Sequence, residues 1–236
     1  MTTTNETRIN EWFVPKFGPI RFRVFVGLLF LPYTGMCVSF TIIGSMLADE
    51  IMWDRVGAVA LIYVLALGIS AHVADTLGSK KVKPWGSYFT RTQLLVLMIG
   101  PLAFAYAIGV YYIVFFVPLL AAIAVLEGFF LFAYNFETFG GRFHNNFWFA
   151  VSWGALPLLA GYIMQTNSTG IVALASAAAA SLVSYAEIRM SRPYKQIKRN
   201  GGDERQVRKL ENGLKTVSLG TIAFALAALA YRIIFS

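Results

Sequence analysis

The sequence predicts an all-α bundle of about seven transmembrane helices. Hydrophobic residues make up 57% of the 236 residues and charged residues only 14%, whereas a soluble domain carries roughly 25% charged residues. The apolar residues are grouped in blocks, and about 20 apolar helical residues cross a bilayer core about 30 Å thick. The blocks occupy residues 24–47, 56–73, 92–109, 111–133, 147–164, 170–188 and 216–234.

Short loops join these blocks, so we expect one transmembrane domain, residues 24–236, after a cytoplasmic N-terminal segment, residues 1–23. The first block is too long for a secretory signal peptide, and no small-residue cleavage site follows it. The one cysteine, Cys37, lies within this block, which excludes an internal disulfide.

The basic residues predict the orientation, because Lys and Arg collect in cytoplasmic loops. With the N-terminus inside the cell and the C-terminus outside, all of the 20 basic residues except Arg55 and Arg232 fall on the inner side. The sequon at residues 167–169 then lies outside, where Asn167 would be accessible to glycosylation. The net charge of +8 is explained by this topology and by anionic lipid or an anionic substrate, without nucleic acid.

The first of three polar clusters lies at the inner end of the second block. His72 and Asp75 share one helix face, and Lys80, Lys81 and Lys83 follow. A carboxylate beside several ammonium groups suits a diphosphate held partly through Mg²⁺ and partly by direct charge. Alternatively, the lysines stabilise a helix C-terminus and serve positive-inside sorting, which leaves the deeper histidine and aspartate unexplained.

The second cluster begins inside the fourth block. Glu127 lies ~10 Å from the inner end of that helix, and an acid at this depth usually faces the bundle interior. Tyr134 continues the same face, and a Gly-Gly loop then carries Arg142, His144 and Asn145. The alternatives are a structural hydrogen bond for Glu127 and a solvated turn for the loop.

The third cluster follows the sixth block, whose helix we expect to end near Pro193. Arg189 and Arg192 precede a long basic loop, and residues 203–212 are expected to form a short charged helix at the membrane surface. This cluster also fits an orientation signal that contacts lipid headgroups.

At these residues the chain resembles the UbiA-type intramembrane prenyltransferases, over about residues 20–190. The first acidic motif of that family, N-D-x-x-D-x-x-x-D, corresponds to A-H-x-x-D-x-x-x-S at residues 71–79, followed by a Lys-Pro pair. Tyr134, Arg142 and the glycine-containing segment 147–162 also resemble the family. The family commonly has nine helices, whereas this sequence shows about seven apolar blocks.

The second acidic motif of the family, D-x-x-x-D, is replaced here. The corresponding stretch, SYAEIRMSRPYK, contains Glu187 as its only acid and has Arg189 and Arg192 where acids are expected. Family enzymes hold two Mg²⁺ ions that carry the prenyl diphosphate, and here only Asp75 is a clear metal ligand. Arg and Lys would replace part of the metal charge, so we expect both arginines to face Asp75 across the inner mouth.

The resemblance implies that an isoprenyl diphosphate binds at the cytoplasmic face and that its prenyl group is transferred to a lipid-soluble acceptor. Asp75 would bind metal or diphosphate beside His72, and Tyr134 and Glu127 would line the cavity. The expected diphosphate ligands are Lys80, Lys81, Arg142, Asn145, Arg189 and Arg192.

Other functions are compatible with the same pattern. A prenyltransferase-like bundle that has lost most of its acids would bind lipid, or act as a subunit of a membrane complex, without chemistry. The two histidines, His72 and His144, permit a haem or metal site. Prolines inside four blocks permit a transporter, although no internal repeat is visible. A retinal protein is excluded, because the last block contains no lysine.

Overall fold

The computed structural model describes residues 8–78, 85 and 88–235, and throughout this part the chain is helical with no strand. The long helices are α1 (Ile20–Met46), α2 (Trp53–Gly78), α3 (Arg91–Phe115), α4 (Leu120–Asn135), α5 (Asn146–Thr166), α6 (Ile171–Arg199) and α7 (Glu204–Phe235). The predicted all-α class is confirmed.

Every long helix except α4 is long and apolar enough to cross a membrane. Helix α4 has 16 residues, which is about 24 Å at 1.5 Å per residue. Its two ends nevertheless contact opposite ends of the bundle. The Leu119 amide before α4 donates to Asn167 Oδ1 after α5, at 3.0 Å, and Tyr134 near its C-terminal end accepts from Arg192 on α6, at 3.4 Å.

The outward-facing side chains of α3, α6 and α7 are largely apolar. Each of the following is more than half exposed: Phe104, Val114, Leu182, Phe224 and Ile233. A soluble protein rarely exposes so large a contiguous apolar surface. Lipid acyl chains are the environment that suits it, which agrees with the length of the helices.

Helix α1 is broken at Phe30. Its first part ends at Leu28 and its second part begins at Leu31. Pro32 has no amide hydrogen, so it cannot continue the hydrogen bonding of the first part. Phe30 has a φ of 44°, which is rare for a bulky residue and is most often found at functional sites.

Helices α1 and α5 pack in direct backbone contact through two glycines. A Cβ at Gly44 would overlap the carbonyl oxygen of Leu158, and a Cβ at Gly161 would overlap that of Thr41. The hydroxyl of Ser45 donates to the Gly161 carbonyl at 3.2 Å. Such small-residue interfaces are typical of membrane helices, where close van der Waals packing drives association.

Polar contacts close one end of the bundle, which we call the Arg232 end. The Met52 amide donates to Gln165 Oε1 at 2.8 Å, and the Arg232 guanidinium donates to the carbonyls of Ala48 and Asp49. These bonds tie the α1–α2 loop to the ends of α5 and α7. The opposite end, which we call the His72 end, contains the candidate site.

Helix α1 begins at Ile20, a few residues before the first apolar block, and Arg23 in its first turn donates to the Pro15 carbonyl at 2.7 Å. Two predictions about the third cluster are wrong. Helix α6 continues through Pro193 to Arg199. The proline removes one helical hydrogen bond, but the buried Tyr194 beside it holds this turn of the helix in place. Residues 203–212 form no separate surface helix, because α7 is continuous from Glu204.

Candidate functional site

A cavity of about 190 Å³ lies at the His72 end of the bundle, between α1, α2, α4, α5 and α6. One water molecule occupies about 30 Å³ of liquid, so the cavity has room for about six waters or one polyatomic group. Its lining combines two histidines, two carboxyl groups and two basic side chains with aromatic walls.

Helix α2 contributes His72 and Asp75, which follow a π-helical turn at Val64–Ala71. Such turns widen a helix and are frequent at functional sites. The His72 ring stacks on Phe30 with centroids 4.6 Å apart, and it lies 5.0 Å from the Trp153 ring. Its Nε2 atom is buried and has no hydrogen-bond partner within the described residues, so one polar atom is available to a ligand.

Helix α6 also lines the cavity. Glu187, Ser191 and Lys195 recur at intervals of four residues, so they share one helix face. Glu187 is 1% exposed, and Lys195 Nζ lies 5.6 Å from the centroid of the Phe30 ring. Arg192 lies beside this row and also lines the cavity.

The end of α4 and the loop after it supply the third polar wall. Arg192 Nη2 donates to the Tyr134 hydroxyl at 3.4 Å, and the Tyr134 ring stacks on His144 with centroids 4.4 Å apart. His144 Nδ1 lies 2.9 Å from the Tyr134 carbonyl oxygen. A carbonyl only accepts, so this hydrogen bond requires a proton on Nδ1.

Aromatic rings complete the cavity. Phe149 and Trp153 stack with centroids 5.5 Å apart and an 8° interplanar angle. They project from α5 where a π-helical turn, Val151–Ala155, again alters the helix. Phe30 and Tyr33 from α1 line the cavity as well. An aromatic face attracts a cation within about 6 Å of its centroid.

The N-terminal segment covers the His72 end. The Arg8 guanidinium lies 4.2 Å from the centroid of the Phe30 ring. The buried Glu11 accepts hydrogen bonds from the Tyr194 hydroxyl at 2.6 Å and from Lys198 Nζ at 3.1 Å. Burial acts to raise the pKa of Glu11, but Arg8, Tyr194 and Lys198 together outweigh it and hold this pKa below its ordinary value of 4.5.

Four of the predicted site residues meet at this cavity: His72, Asp75, Tyr134 and Arg192. Arg192 therefore lines the same cavity as the two α2 residues. Arg189 does not line the cavity; it is exposed, and its guanidinium lies 5.9 Å from the Tyr185 ring. Lys195, and not Arg189, lines the cavity together with Arg192. Side chains on one face of a helix recur every three or four residues, and Lys195 is on the face of α6 that also carries Glu187 and Ser191.

The other predicted residues lie elsewhere. Asn145 caps α5 by accepting from the Trp148 amide at 3.1 Å, and its Nδ2 donates to the carbonyl of the exposed Arg142. Glu127 lines a second cavity, described below, and not the cavity shared by His72 and Tyr134. Lys80 and Lys81 lie outside the described residues.

Sequence reasoning assigned no role to Glu187, Lys195 or Phe30. The spacing of Glu187, Ser191 and Lys195 is a readable signal, but it was hidden by the expectation that α6 ends near Pro193. No pattern in the sequence indicates that the Phe30 ring turns into the cavity. That position follows from the break in α1 before Pro32.

Mg²⁺ requires near-octahedral oxygen ligation, usually from carboxylates and phosphate. Among the described residues, no group of three or more His, Cys, Asp or Glu side chains is placed to hold a metal ion. The two carboxyl groups of the cavity, Asp75 and Glu187, are accompanied by Arg192 and Lys195. These residues do not fit a two-magnesium site; Arg192 and Lys195 are the groups among them that can hold an anion by direct charge.

No protein-family model, curated protein or solved structure matches this chain. The geometry and chemistry of the cavity are therefore the basis for assigning a function.

Proposed function

We propose that this chain is a UbiA-like membrane protein that binds an isoprenyl diphosphate in the cavity at its His72 end. The observation that carries the proposal is that Arg192 and Lys195 on α6 line the same chamber as His72 and Asp75 on α2, together with aromatic walls. The chamber suits the diphosphate and the first carbons of the chain. The remaining hydrocarbon would lie along the apolar bundle.

Direct charge would hold the diphosphate. The guanidinium of Arg192 offers a planar pair of donors, and the ammonium of Lys195 is a compact point charge; both groups bind phosphate oxygens well. Arg8 adds a third positive charge near Phe30. Asp75 and Glu187 oppose an anion, so their role would be to orient these basic groups.

Transfer of the prenyl group is the second part of the proposal. The allylic carbon–oxygen bond breaks, and its electron pair stays on the diphosphate, where Arg192 and Lys195 stabilise the charge. The Phe30 and Trp153 rings stabilise the allylic cation. The acceptor forms the new bond to that carbon and releases a proton to Nε2 of His72, which has no partner within the described residues.

The proposed orientation places the N-terminus and the His72 end in the cytoplasm and the C-terminus outside. The distribution of Lys and Arg supports it. This orientation requires α4 to be a seventh span, and the contacts of α4 with both ends of the bundle are compatible with that. A water-soluble diphosphate would then enter from the cytoplasm, and the protein would reside in the cell membrane.

A non-catalytic function is the second candidate, in which the protein binds lipid or serves as a subunit of a membrane complex. The observation in its favour is that the described residues contain no cluster of acids that could hold a metal. Product analysis separates the two candidates. Prenylated products in the lipid extract support transfer, and retention of intact diphosphate on the protein supports binding alone.

The experiment is displacement of a labelled C20 isoprenyl diphosphate from the detergent-purified protein. Lys195→Gln and Arg192→Gln should each weaken binding about tenfold or more, because a hydrogen bond to a charged group contributes roughly 1.5–3 kcal/mol. Arg189→Gln is the matched control, since Arg189 is on the same helix outside the cavity. Equal losses in all three variants, or no binding by the wild type, would overturn the proposal.

A further inference from the structure

A second cavity, of about 70 Å³, lies between α2, α3 and α4. It shares no lining residue with the cavity at the His72 end. Tyr63, Gly109 and Glu127 line it from the three helices, and almost all of its other lining side chains are apolar. A carboxyl group in such surroundings within a membrane bundle is a functional-site hypothesis by default.

Glu127 has one carboxyl oxygen without a hydrogen-bond partner in the part of the chain that the structure describes. The Tyr63 hydroxyl donates to its Oε1 at 2.8 Å, whereas its Oε2 is buried and has no hydrogen-bond partner within the described residues. The Tyr106 hydroxyl, which also lines the cavity, already donates to the Ala124 carbonyl at 2.9 Å. Leaving a buried polar atom unpaired is costly, so a ligand group that bonds Oε2 would be favoured.

The cavity reaches the apolar surface of the bundle. Tyr106 and Val110 line it and are 38% and 50% exposed. A ligand that enters there comes from the lipid phase. A cavity of 150 Å³ binds benzene, so 70 Å³ is too small for a ring and suits the narrow end of an aliphatic chain.

We propose that this cavity binds the hydroxyl end of a long-chain aliphatic alcohol taken from the membrane. A hydroxyl both donates and accepts, so it pairs with Glu127 Oε2 whether the carboxyl group is ionised or neutral. The chain then lies against Val110 and the neighbouring lipid-facing side chains. This site is independent of the diphosphate site proposed above.

Glycines on α3 provide a matched pair of variants. A Cβ at Gly109, which lines the cavity, meets nothing within 4 Å, and the same is true at the exposed Gly100. Gly109→Leu should therefore fill the cavity without a backbone clash. Gly100→Leu adds the same side chain to the same helix away from the cavity.

The experiment uses a long-chain aliphatic alcohol that carries a photoreactive diazirine near its hydroxyl group. After irradiation of the protein in detergent, labelled peptides are identified by mass spectrometry. Labelling of α3 and α4 around the cavity should be competed by unlabelled hexadecanol and not by hexadecane. Labelling at these sites should fall about tenfold in Gly109→Leu, because the added side chain occupies the cavity and prevents one buried hydrogen bond to the alcohol. It should be unchanged in Gly100→Leu.

A double variant guards against a folding defect. Tyr63→Phe with Glu127→Leu removes both hydrogen-bonding partners and keeps an apolar interior, which is often nearly neutral for stability. This variant should lose competition by hexadecanol. Equal labelling in Gly109→Leu and Gly100→Leu, or equal competition by hexadecane in the wild type, would overturn the proposal.

Discussion

Glu11 is the residue that fastens the N-terminal segment across the His72 end. Its carboxylate, with a side chain 5% exposed, binds the Tyr194 hydroxyl, Lys198 and Arg8 together. The pKa of Glu11 lies below its ordinary value of 4.5 because these partners outweigh the effect of burial. The folded protein therefore favours the ionised form, and protonation must weaken the attachment.

The stability of the protein should depend on pH through this carboxyl group. The unfolded chain takes up the proton near pH 4.5 and the folded chain only at lower pH. The contribution is therefore complete at neutral pH and is lost as pH falls through the folded-state pKa. Glu11→Gln should lower the free energy of unfolding by roughly 1.5–3 kcal/mol at pH 7, as expected for hydrogen bonds to a charged group. The stability of this variant should then fall less than that of the wild type as the pH is lowered.

Unfolding of the detergent-purified protein between pH 7 and acidic pH measures this effect. Glu204→Gln is the control, because its pair with Arg208 is exposed, at 88% and 75% for the two side chains, and exposed pairs contribute little. If Glu11→Gln loses as much stability at acidic pH as the wild type does, the role given to this residue is contradicted.

At the residue level, the sequence located part of the site for a physical reason. His72 and Asp75 lie near the end of α2, and Arg192 lies about two turns before the end of α6, so the chain direction brings all three toward one end of the bundle. Glu127 was assigned to the wrong cavity, because its direction around α4 depends on packing that the sequence does not express. Asn145 was assigned to phosphate, whereas its side chain is used in capping α5.

At the scale of elements, two features place the site: the break in α1 at Phe30 and the close packing of α1 on α5. The break aims an aromatic ring at His72. The packing fixes α5, and with it Trp153, against α1 through Gly44 and Gly161. Apolar blocks predicted the existence of these helices well, while their ends depended on single prolines and arginines with tertiary contacts.

Adding one methyl group at this interface should separate the two helices. Gly161→Ala should destabilise the protein by about 1–3 kcal/mol, as overpacking does, because the new Cβ overlaps the Thr41 carbonyl oxygen. Gly57→Ala on the exposed face of α2 meets nothing within 4 Å and should be neutral or stabilising by up to about 1 kcal/mol, from helix propensity.

Unfolding in mixed detergent micelles compares these two variants with the wild type. The same Gly→Ala substitution is made in both helices, so the comparison isolates the effect of the interface. The free energy of unfolding should fall in Gly161→Ala and should stay the same or rise in Gly57→Ala. Equal stability of Gly161→Ala and Gly57→Ala would show that the α1–α5 contact is less close than described.

At the scale of the whole molecule, the helices form a bundle with two different ends. The Arg232 end is closed by hydrogen bonds to backbone carbonyls, and the His72 end holds a charged cavity beneath the N-terminal segment. Composition predicted the membrane class because a chain with so few charged residues cannot cover a water-facing surface. The proposed orientation rests on the charge asymmetry and is testable directly.

Cysteine labelling tests the orientation across α6. Cys37 is 1% exposed, so the natural background is low. Ser168→Cys and Asn200→Cys lie at exposed positions on either side of α6. A membrane-impermeant maleimide should modify Ser168→Cys in intact cells and Asn200→Cys only after permeabilisation. The reverse pattern would invert the proposed topology, and modification of both in intact cells would show that α6 does not span.

The central claim is that basic side chains of α6 take the place of a metal in holding an isoprenyl diphosphate. The measurement that tests it most directly is the dissociation constant of a C20 isoprenyl diphosphate for the purified wild-type protein, in EDTA and in excess Mg²⁺. Because Arg192 and Lys195 line the same cavity as His72 and Asp75, we expect tight binding in EDTA and no gain from Mg²⁺. Binding that appears only when Mg²⁺ is present would contradict the account.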